Sequence, residues 1–577
     1  MTARTSIGTL AAALLFGATN LHAQDPRVGL AGGFQNAASA IRNLELVSHS
    51  DKPASFYNPA NLGDFAFLNS DLAFQGTTVF QGSFNGFQIW DVSNTAKPQL
   101  KLLFPCPGGQ GDPSIYGHLL FISVEETRGR VDCGKQGVQD TVSLDRFRGV
   151  RIFDVSDLMQ PKQIAAVQTC RGSHTHTLAV DPNDKKNIYV YVSGTSSVRS
   201  PNELAGCSGK QPAEDPNTSL FRIDIIKVPL DSPQAAKVVA SPRIFSDSAG
   251  NIAGLWKGGA HGEGTQATGV TNQCHDVTIY MAKHVAAGAC SGNGIVLDVS
   301  DVVKPKRISE VSDPNFAYWH SATFSNDAKK VLYTDEWGGG TQPRCRVTDR
   351  PEWGADAIFT REGHRMTFAS YFKLPVPQTP EENCVAHNGS LIPIPGRDVM
   401  AQGWYQGGVS VVDFTDAAHP KEIAFFDRGP IDPAKMLIAG SWGAYWYNGN
   451  IYSSEIGRGL DILKLAPSEF ISQNEIDAAI SVRWSEFNPQ AQPEIVWPAT
   501  FSLARAYLDQ LVRNDGLGAA RRDAVTSALA AAEQTSGGAR RAALQSLAGT
   551  IDRDAGGAKD APRVRLLAKA VRDLSTK

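Results

Sequence analysis

Seven times along this 577-residue chain a short segment with strand character opens at a recurrent position, and in six of the seven that position holds Asp or His. The openings are Asp71-Leu-Ala-Phe, Asp112-Pro-Ser-Ile, His176-Thr-Leu-Ala-Val, His275-Asp-Val-Thr-Ile, His320-Ser-Ala-Thr-Phe, His387-Asn-Gly-Ser-Leu and the divergent Trp442-Gly-Ala-Tyr-Trp. Repetition on this scale means stacked or radial units, each too small to bury a core alone. Where the spacing is tightest, successive openings lie 41 and 45 residues apart (71 to 112, 275 to 320). That is the length of a four-stranded propeller blade.

A second landmark recurs inside the unit. Gly86-Phe-Gln-Ile-Trp-Asp-Val-Ser, Gly149-Val-Arg-Ile-Phe-Asp-Val-Ser, Gly294-Ile-Val-Leu-Asp-Val-Ser and Gly408-Val-Ser-Val-Val-Asp-Phe-Thr each carry a Pro seven residues after the Asp. The β-branched and aromatic run reads as a strand; Asp with Ser or Thr opens a turn, and Pro fixes φ before an outer strand. The last unit, ending in Gly459-Leu-Asp-Ile-Leu-Lys-Leu465, lacks its outer strand, and Asn43-Leu-Glu-Leu-Val47 matches what is missing. The expected fold is therefore all-β: a seven-bladed propeller closed by an N-terminal outer strand, leaving no open sheet edge.

The Gly-Val-Arg-Ile-Phe-Asp-Val-Ser-Asp and Gly-Val-Ser-Val-Val-Asp-Phe-Thr-Asp segments resemble the repeat of the LVIVD-repeat family of exported bacterial proteins, over roughly residues 40–470. Ser173-His-Thr-His-Thr, Cys274-His-Asp, Trp319-His-Ser-Ala-Thr-Phe, Asp335-Glu-Trp-Gly-Gly-Gly and Ala386-His-Asn-Gly-Ser are similar to one subgroup of it. The resemblance implies a β-propeller and leaves activity open.

The remaining organisation follows from composition and periodicity. Residues 1–23 read as a secretory signal, with Arg4, an apolar run from Ile7 to Ala18, and Leu21-His22-Ala23 before Gln24. The mature chain is expected in the periplasm or secreted, and no later stretch reaches the ~18 apolar residues of a membrane span. Residues 471–499 read as a linker. Residues 500–577 read as a small α-helical module, with 13 Lys and Arg against 8 Asp and Glu, in an accessory or docking role. A net charge of −3 gives no basic footprint for nucleic acid.

Eight Cys in an exported protein favour disulfides. Cys106, Cys170, Cys274 and Cys384 lie at or just before an opening, and Cys133, Cys207, Cys290 and Cys345 just past a hairpin. Sequential pairing is expected: Cys106–Cys133, Cys170–Cys207, Cys274–Cys290 and Cys345–Cys384.

In a propeller the innermost strands surround a channel, and their openings ring one mouth. His176, His275, His320 and His387 share that register, and His174, two residues before His176, is placed with them by strand periodicity. Return strands bring Glu125, Asp335 or Glu336, and Glu455 to the same mouth. Imidazole with carboxylate is a donor set for a first-row transition metal, copper or alternatively zinc. Copper implies oxidoreductase chemistry on a small-molecule substrate, with Glu336 and Glu455 as proton acceptors; zinc implies activated water and hydrolysis. A second reading keeps the same residues as solvation for a water-filled channel in a non-enzymatic scaffold, which binds a protein, glycan or cell-surface partner. Asp71 and Asp112 are read as residues of strand-opening turns. The insertion Asp247 to Asn272, with His261, is read as a lid. Trp319, Trp337, Trp404, Tyr405 and Trp442 are read as packing between blades, with stacking on a substrate as the alternative.

Overall fold

The computed structural model describes residues 25–576, so the leader expected over residues 1–23 lies outside the described residues. The strands form seven four-stranded antiparallel units. Blade 1 runs from Asn69–Gln75 out to Gln99–Pro105, and blade 2 from Pro113–Tyr116 to Lys162–Gln168. Blade 3 runs from His176–Ala179 to Lys237–Ala240, and blade 4 from Val277–Tyr280 to Lys306–Val311. Blade 5 spans Trp319–Phe324 to Arg365–Phe372, and blade 6 Asn388–Ile392 to Lys421–Arg428. Blade 7 begins at Ser441–Tyr447 and its third strand is Gly459–Leu465. The innermost strands touch in cyclic order, blade 7 returning to blade 1, so the sheets close a ring. This is a β-propeller.

Its core is divided among the seams. Alternate residues of a strand face opposite sides of its sheet. In Leu119–Val124, Leu119 and Phe121 pack toward blade 3, whereas Leu120 and Ile122 pack toward blade 1. Each of the seven seams holds its own buried apolar cluster. Both faces of every blade are therefore covered, which is why the strands read as nearly continuous Val, Ile, Leu and Phe runs.

Blade 7 is completed by the N-terminal strand Leu44–Asp51, antiparallel to the third strand with Leu44 opposite Leu465 and Asp51 opposite Gly459. Asp461 fastens this closure. It accepts from His49 Nδ1 on the closing strand (2.8 Å) and from Arg428 on blade 6 (2.8 Å). A preceding strand, Ser39–Arg42, adds a fifth strand to blade 6. Upstream of it, the buried Arg27 pairs with Glu422 and lies over the Phe425 ring at 3.8 Å.

The segment read as a linker is an ordered strap across the far mouth of the channel. It begins with helix α1 (Gln473–Ser481) and continues past blade 7 to the ends of the innermost strands. Amide side chains there act as extra strand edges. Asn488 donates to Ile115 O at 2.9 Å and accepts from Ile115 N at 2.8 Å; Gln492 does the same with Phe324 at 2.9 and 3.0 Å. The backbone of Gln490 and Gln492 brackets Ile279. Strand ends at a propeller mouth leave donors and acceptors unpaired, and this run of Asn and Gln satisfies them.

The C-terminal module consists of α2 (Phe501–Arg513), α3 (Ala519–Glu533), α4 (Gly537–Asp554) and α5 (Ala561–Leu574), packed around Leu508, Leu511, Leu529, Ile551 and Leu567. Glu475 of α1 ties it to the propeller, accepting from Arg397 of blade 6 at 3.0 Å, Gln510 at 2.7 Å and Arg513 at 3.3 Å. All four disulfides form as the positions of the Cys predict. Four such bridges fit an oxidising compartment. Among the described residues no helix is long and apolar enough to cross a membrane.

Candidate metal centre

Four of the five His expected at the mouth converge. The rings of His174 and His275 have centroids 4.2 Å apart, His275 and His320 3.9 Å, and His320 and His387 4.1 Å, an unbroken run across blades 3 to 6. Glu336, at the end of the second strand of blade 5, closes the group. It lies 3.7 Å from His320 Nε2 and 3.9 Å from His387 Nε2. His275, His320 and Glu336 bring one ligand atom each within 4.8 Å of the others.

The orientation of the rings follows from what holds their outer nitrogens. His174 Nδ1 meets Glu125 Oε1 at 2.6 Å, His275 Nδ1 meets Asp276 Oδ1 at 3.0 Å, and His320 Nδ1 faces Thr334 Oγ1 at 3.4 Å. His387 Nδ1 is bonded to the backbone oxygen of Trp442. A carboxylate or carbonyl partner fixes the proton on Nδ1, so the lone pair sits on Nε2. This holds for His174, His275 and His387; the Thr334 hydroxyl can donate to His320 or accept from it, and His320 Nε2 turns inward by position, 3.7 Å from Glu336. His320 Nε2 is buried with no hydrogen-bond partner. His174 Nε2 and His275 Nε2 lie 2.6 Å apart, and Gln110 Nε2 is 2.8 Å from His174 Nε2.

Electrostatics keep those lone pairs available. Burial, reinforced by neighbouring imidazoles, holds His275 and His320 well below the ordinary histidine range, and burial takes His387 down to about 3. His174 goes the other way: burial opposes its charge, but the adjacent Glu125 outweighs it and raises the ring. Glu336 is pushed up to about 7 by burial, although the Tyr405 hydroxyl donates to it.

Two expected site residues lie elsewhere. His176 is not in the cluster: its Nδ1 bonds to Ser123 Oγ at 2.8 Å and its ring packs toward Phe121, inside the seam between blades 2 and 3. The alternation that would place it beside His174 holds only within a strand, and this strand begins at His176 itself. The preceding turn passes through Gly172 at φ +70°, where a Cβ would meet Glu125 Cα at 2.9 Å. That close approach carries His174 to Glu125. Glu455 is likewise occupied: it binds Arg458 Nη1 at 2.9 Å and accepts from Gly440 N at 3.1 Å, which makes it a brace of blade 7 and not a free proton acceptor.

The aromatic side chains divide. Trp319 and Trp404 are fully buried packing residues. Tyr405 and Trp442 instead edge onto His387, with centroids at 4.7 and 4.9 Å. His261 stacks on Trp256 at 3.8 Å within its own insertion, apart from the imidazole run. Sequence reasoning did not single out Asp276 as the partner of His275, although the two are adjacent in the chain.

No family model and no curated protein matches the chain. Among solved structures it is similar to the hydrazine synthase of Kuenenia stuttgartiensis at 11% identity, covering 68% of this chain and 93% of that chain with a TM-score of 0.41. It is also similar to the periplasmic gluconolactonase of Pseudomonas aeruginosa at 13% identity, covering 69% of this chain and 97% of that chain with a TM-score of 0.38. At that level the likeness is one of architecture.

Proposed function

We propose that this is an exported metalloprotein whose centre is His174, His275, His320, His387 and Glu336, and that copper at this centre makes it an oxidoreductase for a small molecule reaching the channel mouth. The observation that carries the reading is the shared orientation: four imidazoles give Nδ1 to an outer partner and Nε2 to a common interior. Metal-ligating imidazoles are positioned in this way, whereas imidazoles that merely solvate a channel have no need of a common polarity. Neutral nitrogen donors with one carboxylate and no thiolate suit copper or zinc, and the divalent series favours copper. The disulfides exclude the eight Cys as competing ligands.

A bound copper would supply electron transfer, and zinc in its place would supply Lewis acidity. The residues themselves set the rest. Glu125 and Asp276 hold His174 and His275 in their tautomers, and Tyr405 fixes one oxygen of Glu336. Side chains at the mouth are 15% exposed for His174 and 10% for Glu336, against 0% for His320, so approach is from the His174–Glu336 side.

The test is elemental analysis of the mature protein together with the His320→Ala and His387→Ala variants, with electron paramagnetic resonance to identify copper. About one metal per chain in the wild type, lost in both variants, is expected. Sub-stoichiometric metal in all three preparations, after supply of copper and zinc, overturns the proposal.

A further inference from the structure

Below the imidazole layer, between it and the strap, the channel contains a second polar cluster. Asp71, Asp112 and Asp276 are each at most 2% exposed. The negative charges of Asp71 and Asp276 bear on Asp112, and buried carboxylates so placed call for a proton or a cation among them. Burial and the neighbouring carboxylates raise Asp112 well above its ordinary range. Among the described residues no Lys or Arg bonds to any of the three.

Two amides supply the independent observation. Asn388 and Gln490, 5% and 4% exposed, both direct their NH2 groups to Asp71 Oδ2, at 3.3 and 3.0 Å. Their carbonyl oxygens, Asn388 Oδ1 and Gln490 Oε1, are buried without a partner, and so is Asp112 Oδ1. Asn388 and Gln490 line a cavity shared with Asp276 and Tyr445, of about 10 Å³, enough for a single water-sized particle. A proton on Asp112 would relieve the charge and leave both amide oxygens orphaned. Orphaned buried acceptors are costly.

We propose that this cluster is a calcium site, formed by carboxylate and amide oxygens of Asp71, Asp112, Asn388 and Gln490 inside the channel. The donors are all oxygen and include acidic groups, which selects a hard divalent cation. Mg2+ demands a tight octahedron and retains several waters, for which a one-particle cavity has no room; Ca2+ tolerates irregular all-oxygen shells. Gln490 belongs to the strap, Asp71 and Asp112 to blades 1 and 2, and Asn388 to blade 6. A cation here would join the strap to three blades. The site is chemically separate from the imidazole centre, whose nitrogen donors calcium does not favour.

The experiment uses the full chain carrying its transition metal, stripped of calcium with a calcium-selective chelator and then titrated with Ca2+ by calorimetry and by thermal melting. One Ca2+ per chain, with a dissociation constant of about 1 mM or tighter, and a midpoint raised by several degrees are expected. Asp112→Asn and Asn388→Ala should each weaken Ca2+ at least about tenfold while copper or zinc content stays constant. Crystals of the wild type soaked in Sr2+ should show an anomalous peak beside Asp71, a readout that requires no variant to fold. No Ca2+ binding at 10 mM (about ten times that dissociation constant), an ordered water alone in the cavity, or binding unchanged in both variants overturns the proposal.

Discussion

Nε2 of His174 lies 2.6 Å from Nε2 of His275, across the seam between blades 3 and 4. Each ring has already committed Nδ1 to a carboxylate, Glu125 or Asp276. Two lone pairs face one another at that distance only when a proton or a cation stands between them. Burial and the neighbouring imidazoles disfavour the proton on His275, whereas Glu125 favours it on His174, so a cation entering here displaces a proton from His174. Glu125 is in turn kept ionised: burial pushes it up, but the charge and hydrogen bond of His174 prevail and its range is lowered.

Glu125 is therefore expected to act through His174 without touching the metal. Glu125→Gln preserves the shape and removes the charge that orients the ring. Loss of such a partner costs about 10–100-fold in metal affinity. Competition with a chromophoric chelator measures it. His176→Ala is the control: that ring sits between Ser123 and Phe121, so the variant should melt at a lower temperature with unchanged metal stoichiometry. Equal affinities for wild type and Glu125→Gln would falsify this account of the centre.

The architecture was legible in the sequence because the propeller repeats its instructions. Each Asp-Val-Ser turn and each two-faced apolar strand says the same thing, and the Cys beside the openings alternate with Cys past the hairpins, so that sequential pairing joins near neighbours. The site was legible only to the level of the ring. Alternation counted from His174 to His176 fails because the strand has not yet begun, and a bend at Gly172 is not visible from spacing. Glu455 reads the same as Glu336 by register, yet Arg458, three residues on, claims it. The strap was missed because polar residues with Pro look like a linker. Its signal was the alternation of Asn488, Gln490 and Gln492, amides at every second residue with both ends available to strand edges.

Glu475 is the joint between propeller and helices. It is 0% exposed, caps its own helix through Ser472 N at 2.7 Å, and receives Arg397, Gln510 and Arg513. Removing its charge leaves Arg397 with Asp413 alone, at 2.6 Å, and takes the anion from Arg513. Breaking such a pair costs at most roughly 3 kcal/mol, because Asp413 still holds Arg397 and Arg513 is partly exposed. Glu475→Gln should thus separate a low-temperature helical transition from the main unfolding event. Circular dichroism at the helical band, followed with temperature, would show one transition in the wild type and two in the variant. A single unshifted transition in both would remove Glu475 from this role.

The ring closure should depend on pH through His49 and Asp461. Burial opposes the charged form of His49, and the hydrogen bond and charge of Asp461 outweigh it, so the ring is raised above its ordinary range. A raised histidine contributes stability that is complete below its unfolded value, about 6.5, and is lost as pH climbs through the folded value. Burial also opposes Asp461, but Arg428 and His49 bring it far below the carboxylate range. Its contribution is present above its unfolded value, about 3.9, and fades only as pH falls further. The closure is thus strongest between those two limits and weakens above neutrality. Hydrogen exchange of Leu44–Asp51 reports it directly, since this strand is held by one neighbour in blade 7. In the wild type, exchange corrected for its intrinsic pH dependence should accelerate from pH 6.5 to 8.5. In His49→Gln, which keeps a hydrogen-bonding side chain without the charge, that acceleration should vanish. Asp461→Asn, which strands Arg428, should raise exchange at every pH. Parallel pH profiles for wild type and His49→Gln would show that the imidazole charge has no part in holding the ring shut.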